Sequence, residues 1–264
     1  MRLQGKAAIV VGAGQTPGDT IGNGRATAIL FALEGARVLC VDRDLGSAEE
    51  TRTMIQKEGG TALAFEADVT SEDACRAIAA ACIDAFGRID VLHNNVGIGA
   101  GDAGVMKLEQ DAWQRIFDVN LTAMFLTCKH VLPVMREQRS GAIVNISSIA
   151  SIASTGMAAY KVSKAGVNAL TQQIAMGNAR YGIRCNAILP GLMNTPMAIE
   201  GISSALGVPK DELIKARDAM VPLGAMGTAW DVAKAAVFLA SDEASFITGV
   251  LLPVDGGQSV RIGG

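Results

Sequence analysis

Residues 7–25 read AAIVVGAGQTPGDTIGNGR: an apolar run of strand length is followed by five glycines, and a helical pattern begins at once. Glycines let the backbone approach a pyrophosphate closely, and the first N–H groups of a helix face its negative charge. Because the cluster lies between the first strand and the first helix, it predicts a dinucleotide-binding loop rather than a flexible turn. The candidate cofactor-binding residues in this loop are Gly12, Gly22, Asn23 and Gly24.

A carboxylate ends the second apolar run at Asp42, 18 positions after Gly24. At this place it can accept hydrogen bonds from both hydroxyls of an adenosine ribose, and it would repel a 2′-phosphate. Asp42 therefore favours NAD over NADP, whereas Arg43, the next residue, weakens that preference. Asp68, followed by Val69, ends the third apolar run and is a candidate for the adenine edge, or simply an acid in a turn.

Short apolar runs alternate with longer amphipathic stretches along the whole chain. Strands are predicted at 7–11, 37–41, 62–66, 91–93, 142–147, 184–189 and 250–253, and helices at 24–33, 48–58, 71–86, 110–136, 159–180 and 229–239. The runs are rich in Val, Ile and Ala with little polar alternation, which is typical of strands buried on both faces of a parallel sheet. The β-α-β-α order predicts a three-layer, doubly wound parallel α/β sheet, a Rossmann fold.

No linker or internal repeat divides the chain, so we expect one domain over residues 1–264. The most irregular stretch, about 190–209, mixes Gly, Met, Ser and Pro. It is either a mobile loop over a substrate site or a surface connection.

The composition excludes several classes of protein. With 26 acidic and 23 basic residues, the net charge of −3 gives no electrostatic footprint for nucleic acid or an anionic membrane. A hydrophobic content of 50% and a mean hydropathy of +0.31 exclude intrinsic disorder. Neither a membrane span nor a signal-peptide pattern is found, so we expect a cytoplasmic protein. Five scattered cysteines and two distant histidines predict reduced core thiols and no metal site.

A second group of motifs follows in order along the chain. Asn94-Asn-Val-Gly97 follows the fourth strand, and Asp118-Val-Asn120 lies in the next helical pattern. The run IVNISS at 143–148 precedes Tyr160-Lys-Val-Ser-Lys164, a YxxxK motif at the start of a long helical pattern, and Pro190-Gly191 follows the sixth strand. This ordered set resembles the classical short-chain dehydrogenase/reductase family over nearly the whole chain.

The residue types of Tyr160 and Lys164 by themselves indicate a chemical role. Hydride transfer to a ketone leaves an alkoxide that needs a proton, and a phenol with an ordinary pKa of about 10 can supply it only if that pKa is lowered. The two residues stand at i and i+4 on one helix face, so the lysine ammonium is expected to lower the pKa of the phenol. The resemblance implies that Lys164 also holds the nicotinamide ribose.

The resemblance assigns further roles. It implies that Asn120 holds a water that passes protons to Lys164, although a polar residue there could also cap or kink a helix. Counting back 13 positions from Tyr160 makes Ser147 the catalytic serine, whereas alignment of the preceding strand makes it Ser148. We prefer Ser148, because strand register is harder to shift than loop length. The remaining cofactor contacts implied by the family are Asn95, Val96, Gly97, Pro190, Gly191, Met193 and Thr195.

The chain departs from the family in its first turn. Val11 replaces the Thr of the pattern TGxxxGxG, nine residues rather than three separate Gly12 from Gly22, and Val96 replaces the usual Ala. The longer loop raises the hypothesis that residues 15–21 fold over the pyrophosphate and slow cofactor release.

The sequence is compatible with three functions. The first is an NAD-dependent dehydrogenase or reductase of a secondary alcohol or ketone, with a small to medium hydrophobic substrate and, by resemblance, a homotetrameric assembly. The second is an NADPH-dependent 3-oxoacyl-(acyl-carrier-protein) reductase, against which Asp42 argues. The third is a non-catalytic dinucleotide sensor, which would be expected to lack the tyrosine or the lysine. Apolar side chains favour a hydrophobic pocket, or plain packing: Met193, Met197, Ile199, Ile202 and Leu206.

Overall fold

The computed structural model describes residues 1–153 and 155–261. A seven-stranded parallel sheet in the order β3-β2-β1-β4-β5-β6-β9 forms its centre. The strands are β1 (Ala7–Val11), β2 (Arg37–Asp42), β3 (Thr61–Glu66), β4 (Val91–Asn94), β5 (Gly141–Ile146), β6 (Ile183–Pro190) and β9 (Leu251–Val254), with a small two-stranded sheet of β7 (Met193–Asn194) and β8 (Gly227–Thr228). The chain moves outward from β1 in one direction and then returns to β4 and moves in the other. The predicted doubly wound Rossmann fold is confirmed.

Helices cover both faces of the sheet. They are α1 (Asn23–Leu33), α2 (Leu45–Lys57), α3 (Glu72–Phe86), α4 (Gln110–Phe117), α5 (Ala123–Gln138), α6 (Ala158–Asn178), α7 (Pro196–Leu206), α8 (Lys210–Asp218) and α9 (Ala229–Ala240). Within the described ranges, none of the helices is both long enough and apolar enough to cross a membrane.

Strand β1 shows why the apolar runs lack polar alternation. Ala8 and Val10 pack into the core under α1 and α9, whereas Ala7, Ile9 and Val11 pack into the core under α3, α5 and α6. Successive side chains of a strand point to opposite faces, and here both faces are buried. The sheet thus holds its carboxyl edge, from which the motif loops extend, on a rigid support.

Two regions differ from the sequence prediction. The helix predicted over 110–136 is interrupted by a π-helical turn, Asp118–Thr122, between α4 and α5. The stretch 190–209 is not an irregular loop, because it contains β7 and α7 and leads into α8. Pro196 occupies the first turn of α7, where its missing N–H costs nothing, and Gly207 ends the helix with φ of +65°. Residues that indicate a loop by composition therefore begin and end a helix.

Candidate active site

The motif loops meet at the carboxyl edge of the sheet. The glycine loop follows β1, Asn95–Gly97 follows β4, Ser147 and Ser148 follow β5, and Gly191 follows β6. Strand order reverses between β1 and β4, which opens a crevice at this edge. The site is therefore assembled by topology from residues far apart in sequence.

The glycine loop is packed too tightly for side chains. Gly12 has φ of +80°, and a Cβ added to Gly24 would lie 1.8 Å from the Gly12 carbonyl oxygen. The Asn95 Nδ2 donates a hydrogen bond to the same oxygen at 3.1 Å. The start of α1 is thus held directly against the end of β1, and Val96 lies beside Gly12. Only glycine permits this approach.

The N-terminus of α1 is suited to an anion. The helix has no acidic residue in its first turn and no side-chain cap, and the Gly22 N–H donates to Gln15 Oε1 at 2.9 Å. The Asn23 Oδ1 is buried and finds no partner within residues 1–153 and 155–261. First-turn N–H groups and the helix dipole favour a phosphate here. The uncapped N–H groups and the absence of a first-turn acid fit the pyrophosphate of a dinucleotide, whereas the Asn23 Oδ1 is an acceptor and would need a donor as its partner.

The residues predicted to hold the adenosine lie beside this loop. Asp42 accepts from the Gly14 N–H at 2.9 Å and from the Asp44 N–H at 3.1 Å. Asp68 accepts from both the N–H and the hydroxyl of Thr70, so it forms the turn before α3. These bonds from Thr70 lower the pKa of Asp68, and the charge of Arg43 contributes less. Val69 is buried in the core, whereas Arg43 is exposed.

Tyr160 and Lys164 lie one turn apart on α6. The Lys164 Nζ donates to the Ile146 carbonyl at 2.8 Å and lies 5.9 Å from the centre of the Tyr160 ring. Burial lowers the pKa of Lys164 to about 7. Burial raises the pKa of Tyr160, against an opposing hydrogen bond with Ser148. This differs from the predicted lowering by Lys164, because desolvation of the buried phenol outweighs the opposing effect.

The two serines after β5 have different surroundings. Ser147 is buried and its hydroxyl donates to the Lys164 carbonyl at 3.0 Å. This hydroxyl therefore binds the backbone of α6 and not a ligand in the crevice. The Ser148 hydroxyl accepts from the Ala150 N–H at 3.1 Å and is close enough to Tyr160 to lower the pKa of the phenol. The structure thus brings Ser148, and not Ser147, to the phenol.

Asn120 lies in the π-helical turn and is fully buried. Its Oδ1 accepts from the Ile98 N–H at 2.7 Å, and its Nδ2 donates to the Ile98 carbonyl at 2.9 Å and to the Ser163 hydroxyl at 3.1 Å. A Cβ added to Gly97 would lie 2.9 Å from Lys164 Nζ and 3.5 Å from Asn120 Oδ1. Asn120, Gly97 and Lys164 therefore converge, and π-helical turns occur frequently at functional sites.

The residues predicted to hold the nicotinamide end follow β6. Pro190 is its last residue, and the Gly191 N–H donates to the Val254 carbonyl at 3.0 Å. Met193 and Thr195 are both 5% exposed, and Thr195 directly precedes α7. This segment connects the sheet edge to α7.

Sequence reasoning missed several supporting residues. Gln15 and Ser47 fix the glycine loop, since the Gln15 N–H donates to Ser47 Oγ at 2.9 Å. Ser163 joins Asn120 to the Tyr160 carbonyl. Asp102 accepts from backbone N–H groups of α6. A signal for the last contact existed: α6 has no capping side chain or acidic residue at its own start.

Comparison with known proteins agrees with this arrangement. The family model described as Enoyl-(Acyl carrier protein) reductase matches residues 19–259. The chain belongs to the short-chain dehydrogenase/reductase family. Members of this family are oxidoreductases that use NAD or NADP.

Individual relatives cover the whole chain. It is 38% identical to 3beta-hydroxysteroid dehydrogenase 1 of Eggerthella lenta, over 99% of this chain and 96% of the relative. It is 37% identical to a 3-oxoacyl-(acyl-carrier-protein) reductase of Thermotoga maritima, over 97% of this chain and 99% of the relative. The structure of levodione reductase superposes with a TM-score of 0.93 at 32% identity, covering 99% of this chain and 100% of that one. These relatives act on different substrates, so membership of the short-chain dehydrogenase/reductase family fixes the reaction class and not the substrate.

Proposed function

We propose that this short-chain dehydrogenase/reductase moves a hydride between NAD and a secondary alcohol or ketone of small to medium hydrophobic size. The observation that carries the proposal is the convergence of Tyr160, Ser148 and Lys164 beside the glycine loop at one sheet edge. A nicotinamide cofactor supplies or accepts the hydride when bound.

The proton is handled by the protein. Ser148 lies close enough to Tyr160 to lower the pKa of the phenol, and we propose that their two hydroxyls hold the substrate oxygen between them. Burial raises the pKa of Tyr160 and Ser148 opposes that rise, so the phenol keeps its proton at neutral pH. We propose that Tyr160 donates this proton to the oxygen of a ketone during reduction, and that Ser148 helps the phenol to release it. Lys164 lies 5.9 Å from the centre of the Tyr160 ring, and Asn120 is joined to the Tyr160 carbonyl through Ser163. We propose that both residues return the proton to Tyr160 and that Lys164 also holds the nicotinamide ribose.

Cofactor preference is proposed from the ribose end of the crevice. The Asp42 carboxylate lies against the glycine loop at Gly14, where a 2′-phosphate would meet its negative charge. Arg25, the third residue of α1, is 4% exposed and is committed to Glu50 at 2.9 Å and to Thr51 at 2.9 Å. Its guanidinium is thus occupied, which supports NAD over NADP, whereas the exposed Arg43 beside Asp42 weakens that preference.

The size and polarity of the substrate are proposed from α7. Met197 and Leu206 are 58% and 65% exposed on this helix, whereas Ile199 packs with Val221 and Met226. Exposed apolar side chains on a helix that follows the nicotinamide segment support a hydrophobic substrate.

The proposed assembly is a homotetramer. The exposed faces of α5 and α6 carry Phe125 and Val162, and the C-terminal end of the chain exposes Phe246 and Val260. Large exposed apolar side chains on these elements support contacts between copies of the chain. Light scattering on the purified protein would give the mass of four chains if the proposal holds.

All five cysteines are buried and free, which supports the proposed cytoplasmic location.

The function is tested by following NADH absorbance with a panel of ketones that includes a 3-oxoacyl thioester. We expect turnover of hydrophobic ketones, with kcat/KM higher for NADH than for NADPH and the preference reduced in Asp42→Ala. A preference for NADPH, together with turnover of the thioester, would favour the carrier-protein reductase. Tight NADH binding without turnover of any compound would favour a sensor.

A further inference from the structure

The helix that carries Tyr160 has no capping group of its own. Met157, the residue before α6, makes no side-chain cap, and the first turn contains no acidic residue. Instead, the Tyr160 N–H donates to Asp102 Oδ2 at 2.6 Å and the Ala159 N–H donates to Asp102 Oδ1 at 3.1 Å. The Ala158 N–H donates to the Ala103 carbonyl at 3.1 Å. A loop far away in sequence therefore satisfies the start of this helix.

That loop, residues 98–103, is held near its start by side chains of the π-helical turn and of α4. Asn120 binds both the N–H and the carbonyl of Ile98. The Arg115 guanidinium donates to the Ala100 carbonyl at 2.7 Å. The loop thus joins the π-helical turn to the first turn of α6.

The loop also passes close to the Tyr160 ring. A Cβ added to Gly99 would lie 2.4 Å from Met157 Cε and 3.6 Å from Tyr160 Cδ2. The backbone at Gly99 therefore lies beside the Tyr160 ring, with the flexible end of Met157 next to it. The position of the loop and the position of the phenol are coupled by contact.

A carboxylate is the strongest cap for this helix end. Hydrogen bonds from N–H groups to an ionised acceptor are stronger than neutral ones, and negative charge is favourable at the positive end of a helix. Without the carboxylate, the N–H groups of Ala159 and Tyr160 lose their acceptor and the first turn frays. Tyr160 is the third residue of α6, so fraying would move its side chain away from Ser148.

We propose that Asp102 is a positioning residue, which fixes the first turn of α6 and thereby holds the Tyr160 phenol against Ser148. This role rests on the proposed oxidoreductase function. It assigns to Asp102 no contact with substrate or cofactor. The carboxylate acts only through the backbone of Ala159 and Tyr160.

The test uses Asp102→Ala and the conservative Asp102→Asn, with Ser71→Ala as the matched control. Ser71 caps α3 through the Ala74 N–H, so its removal is a cap loss outside the crevice. The readouts are kcat, KM, NADH affinity and thermal midpoint. A further readout is the ultraviolet absorbance of tyrosinate against pH. The chain has two tyrosines, so a Tyr181→Phe background reports Tyr160 alone.

We expect Asp102→Ala to lower kcat by about 10- to 100-fold, as for a small misplacement of a reacting group, with KM and NADH affinity unchanged. Tyr160 should ionise at lower pH than in the parent, because fraying exposes a phenol whose pKa burial had raised. Asp102→Asn should recover part of kcat, since its one carbonyl oxygen can still accept from one N–H.

Two results would overturn the proposal. One is a kcat for Asp102→Ala that falls no further than that of Ser71→Ala. The other is a Tyr160 titration that is unchanged while the thermal midpoint drops, because this would show a merely structural cap. If instead the parent protein turns over no substrate, the proposed function fails, and the tyrosine titration still decides whether Asp102 positions Tyr160.

Discussion

The buried amine of Lys164 should make the stability of the protein depend on pH in a specific way. Burial lowers the pKa of Lys164 from 10.5 to about 7, whereas the unfolded chain keeps the ordinary value. Between these two values the unfolded state binds a proton that the folded state does not, so the free energy of unfolding rises with pH. The full effect is about 5 kcal/mol, and about 2 to 3 kcal/mol of it falls between pH 6 and pH 9.

The substitution Lys164→Met isolates this effect. Methionine fills a similar space without the charge, although it leaves the Ile146 carbonyl without its 2.8 Å donor. We expect the variant to gain stability relative to the parent at pH 6, and the gap to narrow by about 2 to 3 kcal/mol by pH 9. Urea unfolding at several pH values measures it, with Lys161→Met on the same helix as the control. A gap between Lys164→Met and the parent that is constant with pH would refute the reasoning.

Three further outcomes are expected. The ring nitrogens of His93 are buried and have no hydrogen-bond partner within the described ranges, and burial lowers the pKa of His93 to about 3. Between pH 7 and pH 5 the parent should therefore lose about 2 kcal/mol more unfolding free energy than His93→Leu in urea titrations, because only the unfolded histidine is protonated there. Gly24→Ala places a Cβ 1.8 Å from the Gly12 carbonyl oxygen and should weaken NADH binding at least about tenfold in a fluorescence titration, whereas Gly177→Ala, with open space around it, should not. Lys210 joins Asp19 of the long glycine loop to Glu200 of α7 at 3.1 and 2.8 Å. In stopped flow, Lys210→Met should therefore speed NADH dissociation, while the control Lys215→Met should not. Equal dissociation rates for Lys210→Met and the parent would discard the idea that the long loop retains the cofactor.

The parts of the site that could be predicted from the sequence are formed by residues close together along the chain. A strand followed by Gly12, and a helix pattern from Gly24, specify the glycine loop by local chemistry alone. The spacing of Tyr160 and Lys164 likewise places both on one helix face. These features are short-range, so the sequence carries them directly.

The features that could not be predicted depend on contacts across the fold. The bond from the Tyr160 N–H to Asp102 joins residues 58 positions apart, and the pair of Lys210 and Asp19 joins residues 191 apart. The π-helical turn at Asn120 has no distinct periodicity of its own. The expected lowering of the Tyr160 pKa overlooked burial, which acts on the phenol and on Lys164 alike.

The central claim is that the Tyr160 hydroxyl moves the proton in a hydride-transfer reaction. The most direct measurement compares Tyr160→Phe with the parent for ketone-dependent NADH oxidation and for NADH binding, with Tyr181→Phe as the control. We expect Tyr160→Phe to lose at least about 100-fold in kcat, while its NADH affinity stays at the parent value and Tyr181→Phe keeps full turnover. Turnover by Tyr160→Phe at the parent rate would contradict it.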